Sequence, residues 1–432
     1  MKQEMSVHDI LIRLGVFRAL YAAAVQFNSV LFRVIVGVLA LSFGVPADTV
    51  ALVTLIEFTL NGLLEVPCGY ISDRIGRIPS IILSLLLVMS GLACVYVALV
   101  FDGAMARILF IAHGILIGIA KPLSSGSIEA FYQDAIKVRC LNDDHEKVAA
   151  TSLTTSQNYG KYFTTIAVIA AFALAWVFEQ KQWLPHTFLI GIALYASCIV
   201  TLWRDYLQLG DRDKQLHVSP LKDIFKVTFL APRAKIATIY NLSFWMMTVI
   251  IAGYLPLSLG REHNQSAELI QWSFMAAFML GYSAFGWILK GHLLPVLIRC
   301  VTPRQYLLIF YGLTLVMSLG YLALYGNTPV FVQITYIFVF GALFHTATSA
   351  IQNMSMNQLM GEVKRQDYAT ALSFQNIPGY LWVGLYSLYI STLRNGAPSI
   401  KEAFVSVVIL SLLFSFVTIS LERPLAMAKE IK

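Results

Sequence analysis

The run E-V-P-C-G-Y-I-S-D-R-I-G-R, from Glu65 to Arg77, stands between two long apolar stretches and decides how the rest is read. Its polar half has the makings of a tight turn between two helices. Gly69 and Gly76 lack a Cβ and permit close helix approach and a sharp reversal. Asp73 is placed to cap the following helix or to accept from Arg77. Arg77 is within reach of Asp134, an acid at the end of a later apolar stretch, and Glu65 closes the preceding one. These residues read as a latch on one face of a membrane. The plainer alternative is a turn with charges that only set topology.

Working outward, the flanking stretches are two of twelve. The chain has 432 residues, 58% hydrophobic and 13% charged, with a mean hydropathy of +0.70. A soluble protein carries roughly 25% charged residues, so water is not the main solvent. A spanning helix needs about 20 apolar residues to cross about 30 Å of hydrocarbon. Such stretches fall near 16–41, 50–71, 79–101, 107–131, 152–177, 185–203, 236–259, 269–289, 305–325, 329–353, 368–393 and 402–421. The N-terminal M-K-Q-E-M-S-V-H-D-I-L-I-R-L mixes charges and has no small-residue cleavage site, so the first span is expected to be retained. Cys68, Cys94, Cys140, Cys198 and Cys300 are scattered without a C-x-x-C pair, which predicts neither a disulfide framework nor a metal site, and no cofactor is expected.

The sequence carries 31 Lys and Arg for a net charge of +7. With the N-terminus placed in the cytoplasm and the loops alternating, twenty-three fall inside, five outside and three within spans. Seven of the inside group lie between Arg204 and Lys235. This bias places both termini in the cytoplasm. Basic loops facing an anionic leaflet account for the net charge without a nucleic-acid partner.

The polar stretch 204–235 divides the spans six and six. The expected organisation is an N-terminal six-helix bundle over 1–203, a cytoplasmic linker over 204–235 and a C-terminal six-helix bundle over 236–432. Span 5 contains S-Q-N-Y-G-K-Y (Ser156 to Tyr162) and span 11 contains F-Q-N-I-P-G-Y (Phe374 to Tyr380) at corresponding positions, as a duplication predicts. The fold class is therefore an all-α integral membrane protein of twelve transmembrane helices in two bundles related by a pseudo-two-fold.

The Glu65–Arg77 run resembles the signature loop of the major facilitator superfamily, G-x-x-x-D-R-x-G-R, with Gly69, Asp73, Arg74, Gly76 and Arg77 at its key positions. Span 4 ends S-G-S-I-E-A-F-Y-Q-D (Ser125 to Asp134), similar to that span's end in many bacterial members. The resemblance implies that Asp73, Arg77 and Asp134 hold an outward-facing state closed on the inside. In the second half the corresponding loop, Gly291 to Arg304, has no Asp-Arg pair, so the latch is expected on one side only. Span 5 lacks the G-P-rich pattern of the family's drug antiporters.

A charge at mid-bilayer costs roughly 2.5–3.5 kcal/mol on insertion scales and marks a functional candidate whose partner should be named. The candidates are Arg33, Glu57, Glu65, Lys121, Glu129 and Lys161, all in the first half. Glu57, Asn61 and Glu65 share one face of span 2; Gly114, Gly118, Lys121, Ser125 and Glu129 share one face of span 4. The two glycines predict close packing there. Gln157, Asn158 and Lys161 cluster on span 5, and Gln26 and Arg33 on span 1. Three bases against three acids are enough to brace a bundle. The functional alternative sets Gln26, Arg33, Lys121, Gln157, Asn158 and Lys161 facing an anionic group on a cargo. Burial disfavours an ionised carboxylate, which makes Glu57 and Glu129 the expected carriers of a coupling proton.

The second half offers amides and rings instead, Asn241, Trp245, Gln271, Gln333, Gln352, Asn353, Gln375 and Asn376 with many Tyr and Phe, of which Asn241, Gln375 and Asn376 are the expected cargo contacts. Gln375 and Asn376 stand next to Pro378, whose missing N–H frees backbone carbonyls they can satisfy instead. His345 is a further proton-carrier candidate, although a lone histidine in a membrane is more often a hydrogen-bonded helix contact. No H-E-x-x-H, G-x-S-x-G or histidine cluster is present, so an enzyme is not expected. The sequence reads as a monomeric secondary transporter of a bacterial inner membrane. It is expected to move a small anionic or zwitterionic organic solute (a carboxylated metabolite or siderophore, an amino acid or an amphiphilic drug) with protons, by alternating access. A lipid or amphiphile flippase, or a non-transporting sensor on the same scaffold, is the alternative.

Overall fold

The computed structural model describes residues 7–34, 47–100, 104–124, 163, 165–177, 183–209, 220–262, 268–286, 288–289, 301–326, 328–360, 362–363, 368–394 and 398–421. The described residues are almost wholly helical and include no strand. The first half contains α1 (Val7–Val34), α2 (Ala47–Ile75), α3 (Arg77–Val100), α4 (Ala104–Ser124), α5 (Thr165–Val177) and α6 (Thr187–Leu209). A short helix, α7 (Leu221–Leu230), follows. The second half contains α8, from Pro232 through a π-helical stretch, Val249–Tyr254, to Glu262, and α9, from Glu268 through a second, Gly281–Phe285. It continues with α10 (Pro303–Leu324), α11 (Val330–Met360), α12 (Tyr368–Leu393) and α13 (Ile400–Leu421). Each expected span overlaps one of these helices, the expected spans 16–41, 107–131 and 152–177 lying partly outside the described residues, and eight of the described helices are long and apolar enough to cross a membrane.

The expected linker 204–235 is partly helical. α6 runs on to Leu209, and α7 packs on α8 and α12. The chain divides into two compact units, Met1–Phe32 with Phe43–Ser219 and Arg33–Ser42 with Pro220–Lys432.

The same packing scheme appears inside each unit. In the first, α2 packs on α4, α4 on α3, and α3 on α6. In the second, α9 packs on α11, α11 on α10, and α10 on α13. These are the same pairs of positions counted along each half, as a duplicated six-helix repeat requires. Both repeats also use glycine at the same contact. A Cβ at Gly118 would stand 2.9 Å from the Glu57 carbonyl oxygen, and one at Gly114 would stand 3.0 Å from that of Val53, so α4 lies against α2 backbone to backbone. A Cβ at Gly281 would run into the Phe338 carbonyl oxygen, and one at Gly341 would stand 2.8 Å from that of Phe278, which interlocks α9 with α11. Small residues permit this approach where lipid supplies no hydrophobic drive.

The turn after α2 has the expected form. Gly76 sits at φ 101, donates to the Ser72 carbonyl at 3.1 Å and hands directly into α3 at Arg77. A side chain there would be strained, so Gly76 ends one helix and lets the next begin. Gly69 differs from expectation. No described atom lies within 4 Å of a Cβ built on it, so the close approach falls to α4's glycines instead. Two span starts carry capping boxes legible in the sequence. Thr302 accepts from the Gln305 amide at 3.3 Å and Ser399 from the Glu402 amide at 3.1 Å, while the Gln305 and Glu402 side chains accept in turn from the N–H groups of Thr302 and Ser399.

Candidate functional site

The contact between α2 and α4 places the clearest candidate. Gly118 brings α4 onto the backbone of α2 at Glu57, and Lys121 lies one turn further along the same face. The Lys121 ammonium pairs with the Glu57 carboxylate and lies 5.1 Å from the centre of the Phe58 ring. The carboxylate partner is 13% exposed and the lysine 47%. A lysine held open within a membrane span is costly unless it faces water or a partner. Two turns back on the same helix, His113 is buried between α1 and α3. Its Nδ1 bonds the Gly91 carbonyl at 3.0 Å, its ring stacks on Phe32 at 4.8 Å, and Glu57 and Lys121 are near enough for their charges to act on it. Sequence reading passed over His113 because no other histidine stands near it; its i, i+8 relation to Lys121 was the available signal.

Glu65 is buried on α2, close to Cys68. Arg77 opens α3, and Gln26 is partly exposed on α1. Arg33, Asp73 and Arg74 lie on described helices, but their side chains fall outside the described set. Glu129, Asp134, Gln157, Asn158 and Lys161 lie outside the described residues altogether.

In the second unit the expected amides meet. Asn241 of α8 donates to the Asn376 side-chain oxygen at 2.9 Å and to the Gln375 carbonyl at 3.1 Å, and Trp245 donates to the same Asn376 oxygen at 3.4 Å. Gln375 donates to Ser355 of α11 at 3.0 Å, which donates to the Ala237 carbonyl at 2.7 Å. Pro378 has no N–H for the Phe374 carbonyl four residues back, and Asn241 donates to the next carbonyl along the opened turn, that of Gln375. Trp245 lies over Gly379 and packs on Tyr380 with ring centres 4.8 Å apart. The Gln375 side-chain oxygen is buried and accepts no hydrogen bond among the described residues. Asn241→Leu should therefore lower stability by about 1 kcal/mol. Thermal unfolding in detergent checks this, and an unshifted midpoint would show that the network adds nothing.

His345 lies on α11. It packs edge-on against Tyr282 at 4.8 Å and bonds Ser349 at 3.3 Å, with its Cβ close over Gly286. Among the described residues no group of three or more His, Cys, Asp and Glu is placed to hold a metal ion.

A family model described as Major Facilitator Superfamily matches residues 19–387. The chain belongs to this superfamily. Its fold is similar to the crystal structure of the nucleoside transporter NupG, with a TM-score of 0.68 at 12% identity over 96% of this chain and 99% of that one. It is also similar to a bacterial homologue of the iron transporter ferroportin in the outward-facing state, with a TM-score of 0.65 at 16% identity over 96% and 99%. A search of curated proteins found no match. As a superfamily member, the protein is a multi-pass membrane transporter with two six-helix bundles, and it is not an enzyme.

Proposed function

We propose that the protein is a proton-coupled secondary transporter that moves a small organic solute with an anionic or zwitterionic group by alternating access. The observation that carries this reading is the Glu57–Lys121 pair, formed inside the membrane at a helix contact tight enough to fix it. While Glu57 is ionised, it neutralises Lys121. A proton on Glu57 releases the ammonium, and a lone cation in a membrane favours an anion beside it. Proton and anion then raise each other's affinity by the same factor, as linkage requires.

In this reading Gln26, Arg33, Gln157, Asn158 and Lys161 are the remaining first-half cargo contacts, with Glu129 a second proton carrier. Asn241, Gln375 and Asn376 are the second-half contacts, and His345 is an additional proton carrier. Glu65, Gly69, Asp73, Arg74, Gly76, Arg77 and Asp134 form the gate. Both termini lie in the cytoplasm of a cell with this protein in its inner membrane, the stretch 204–235 links the halves, and the protein works as a monomer.

The test is binding of a panel of carboxylates, amino acids and siderophores, with nucleosides and iron added because the two structural neighbours carry those names. The anion should bind better than its neutral analogue, and Lys121→Ala should remove the difference. A neutral analogue that binds equally well, with Lys121→Ala leaving affinity intact, would refute the reading.

A further inference from the structure

The stretch before α8 carries a surface that the transport reading leaves unused. One face of α7 is spent on packing: Ile224 and Thr228 are buried, and Ile224 joins Ala234, Ala237, Leu359 and Ala371. Beside that face, Leu221, Phe225 and Phe229 recur every four residues along one strip. Leu221 is 43% exposed and Phe225 48%. The strip is held firmly, because Phe225 and Phe229 meet at 4.8 Å and both pack edge-on against Phe374 of α12. Next around the helix come Lys222 and Lys226, both exposed, while the helix's one acid, Asp223, falls on the flank away from the apolar strip. Arg233 and Lys235 continue the exposed positive charge onto α8, and only Arg233 has an ion-pair partner among these four in the described residues, Glu362 at 3.6 Å.

Position identifies the occupant. Ala231 has extended backbone, φ −66 and ψ 137, and Pro232 opens the apolar span that runs to Tyr254. α7 is thus one residue from the depth at which a span leaves the hydrocarbon. In water, the exposed parts of the phenyl and leucyl groups would forgo the gain of leaving water. At a bilayer surface they sink among acyl chains while lysines reach the phosphates. We infer that α7 is an interfacial helix that seats on anionic phospholipid, with Leu221 and Phe225 in the acyl region and Lys222 and Lys226 on the headgroups. The orientation proposed above places this on the inner leaflet; the inference itself does not require transport.

Amide hydrogen exchange of the full-length protein in nanodiscs tests it. Residues 224–231 should exchange about tenfold more slowly in phosphatidylcholine mixed with phosphatidylglycerol than in phosphatidylcholine alone. High salt should remove that protection, and so should the double variant Lys222→Gln with Lys226→Gln. Exchange in α10 serves as the control that the variant is folded. Equal exchange in the two lipids, or full protection retained by the double variant, would overturn the inference. So would inorganic phosphate reproducing the protection in phosphatidylcholine discs, because the strip would then bind a phosphate group and not a membrane surface.

Discussion

Exchanging the two charges, with Glu57→Lys and Lys121→Glu together, is expected to restore the stability that either single change removes while uptake stays below about a tenth of wild type, a deficit of about 1.4 kcal/mol or more. Breaking a fully buried pair costs about 3–5 kcal/mol, and an exposed pair about 0–1. With Glu57 13% and Lys121 47% exposed, each single variant should lose about 1–2 kcal/mol. A brace does not care which helix holds which charge. A proton and anion site does, because the swap puts the ammonium on α2 beside Phe58 and moves the carboxylate to the more open position on α4. Thermal unfolding and uptake measured on the same four proteins separate the two roles. Recovery of both together would reduce the pair to a brace.

The largest loss of stability is expected from Gly281→Val. Its Cβ would meet the Phe338 carbonyl oxygen, and a backbone atom cannot swing aside as a side chain can. Relief would require α9 and α11 to part, which also undoes the reciprocal contact of Gly341 with Phe278. Overpacking of this kind costs about 1–3 kcal/mol or more. Gly312→Ala in α10 is the matched control of opposite sign: no described atom lies within 4 Å of the added Cβ, and alanine is favoured over glycine in a helix by about 1 kcal/mol. Thermal midpoints of the two variants should move in opposite directions. A silent Gly281→Val would mean that α9 and α11 do not interlock.

What the sequence disclosed follows from what periodicity can encode. Apolar runs placed a described helix in each expected span because each must cross the same thickness of hydrocarbon, and the spacing of Gly114 and Gly118 marked the contact face of α4. The turn at Gly76 was legible because three polar residues, Ser72, Asp73 and Arg74, and a glycine interrupt the run at the end of α2. The choice of partner for Lys121 was not. Arithmetic along one helix fixes which residues share its face, but not which of Glu57 and Glu65 a neighbouring helix brings opposite Lys121; the register of α4 on α2 decides that. The partner of His113 was hidden in the same way, being the Gly91 carbonyl of another helix. α7 was hidden inside a stretch read as linker, because ten residues with two lysines and an aspartate look solvated until their buried face is seen. The amide pair Gln375–Asn376 was legible as a polar insertion beside Pro378, whereas its donor, Asn241, stands 134 residues away in sequence from Gln375.

The central claim, that solute moves together with a proton through the Glu57–Lys121 pair, is tested most directly in liposomes holding a pH-sensitive dye. Under an imposed proton gradient, addition of an anionic or zwitterionic solute from the panel should drive proton movement in wild type, and Glu57→Gln should abolish it while still binding the solute. Solute uptake that proceeds with no proton movement, or proton movement undiminished in Glu57→Gln, would contradict the account.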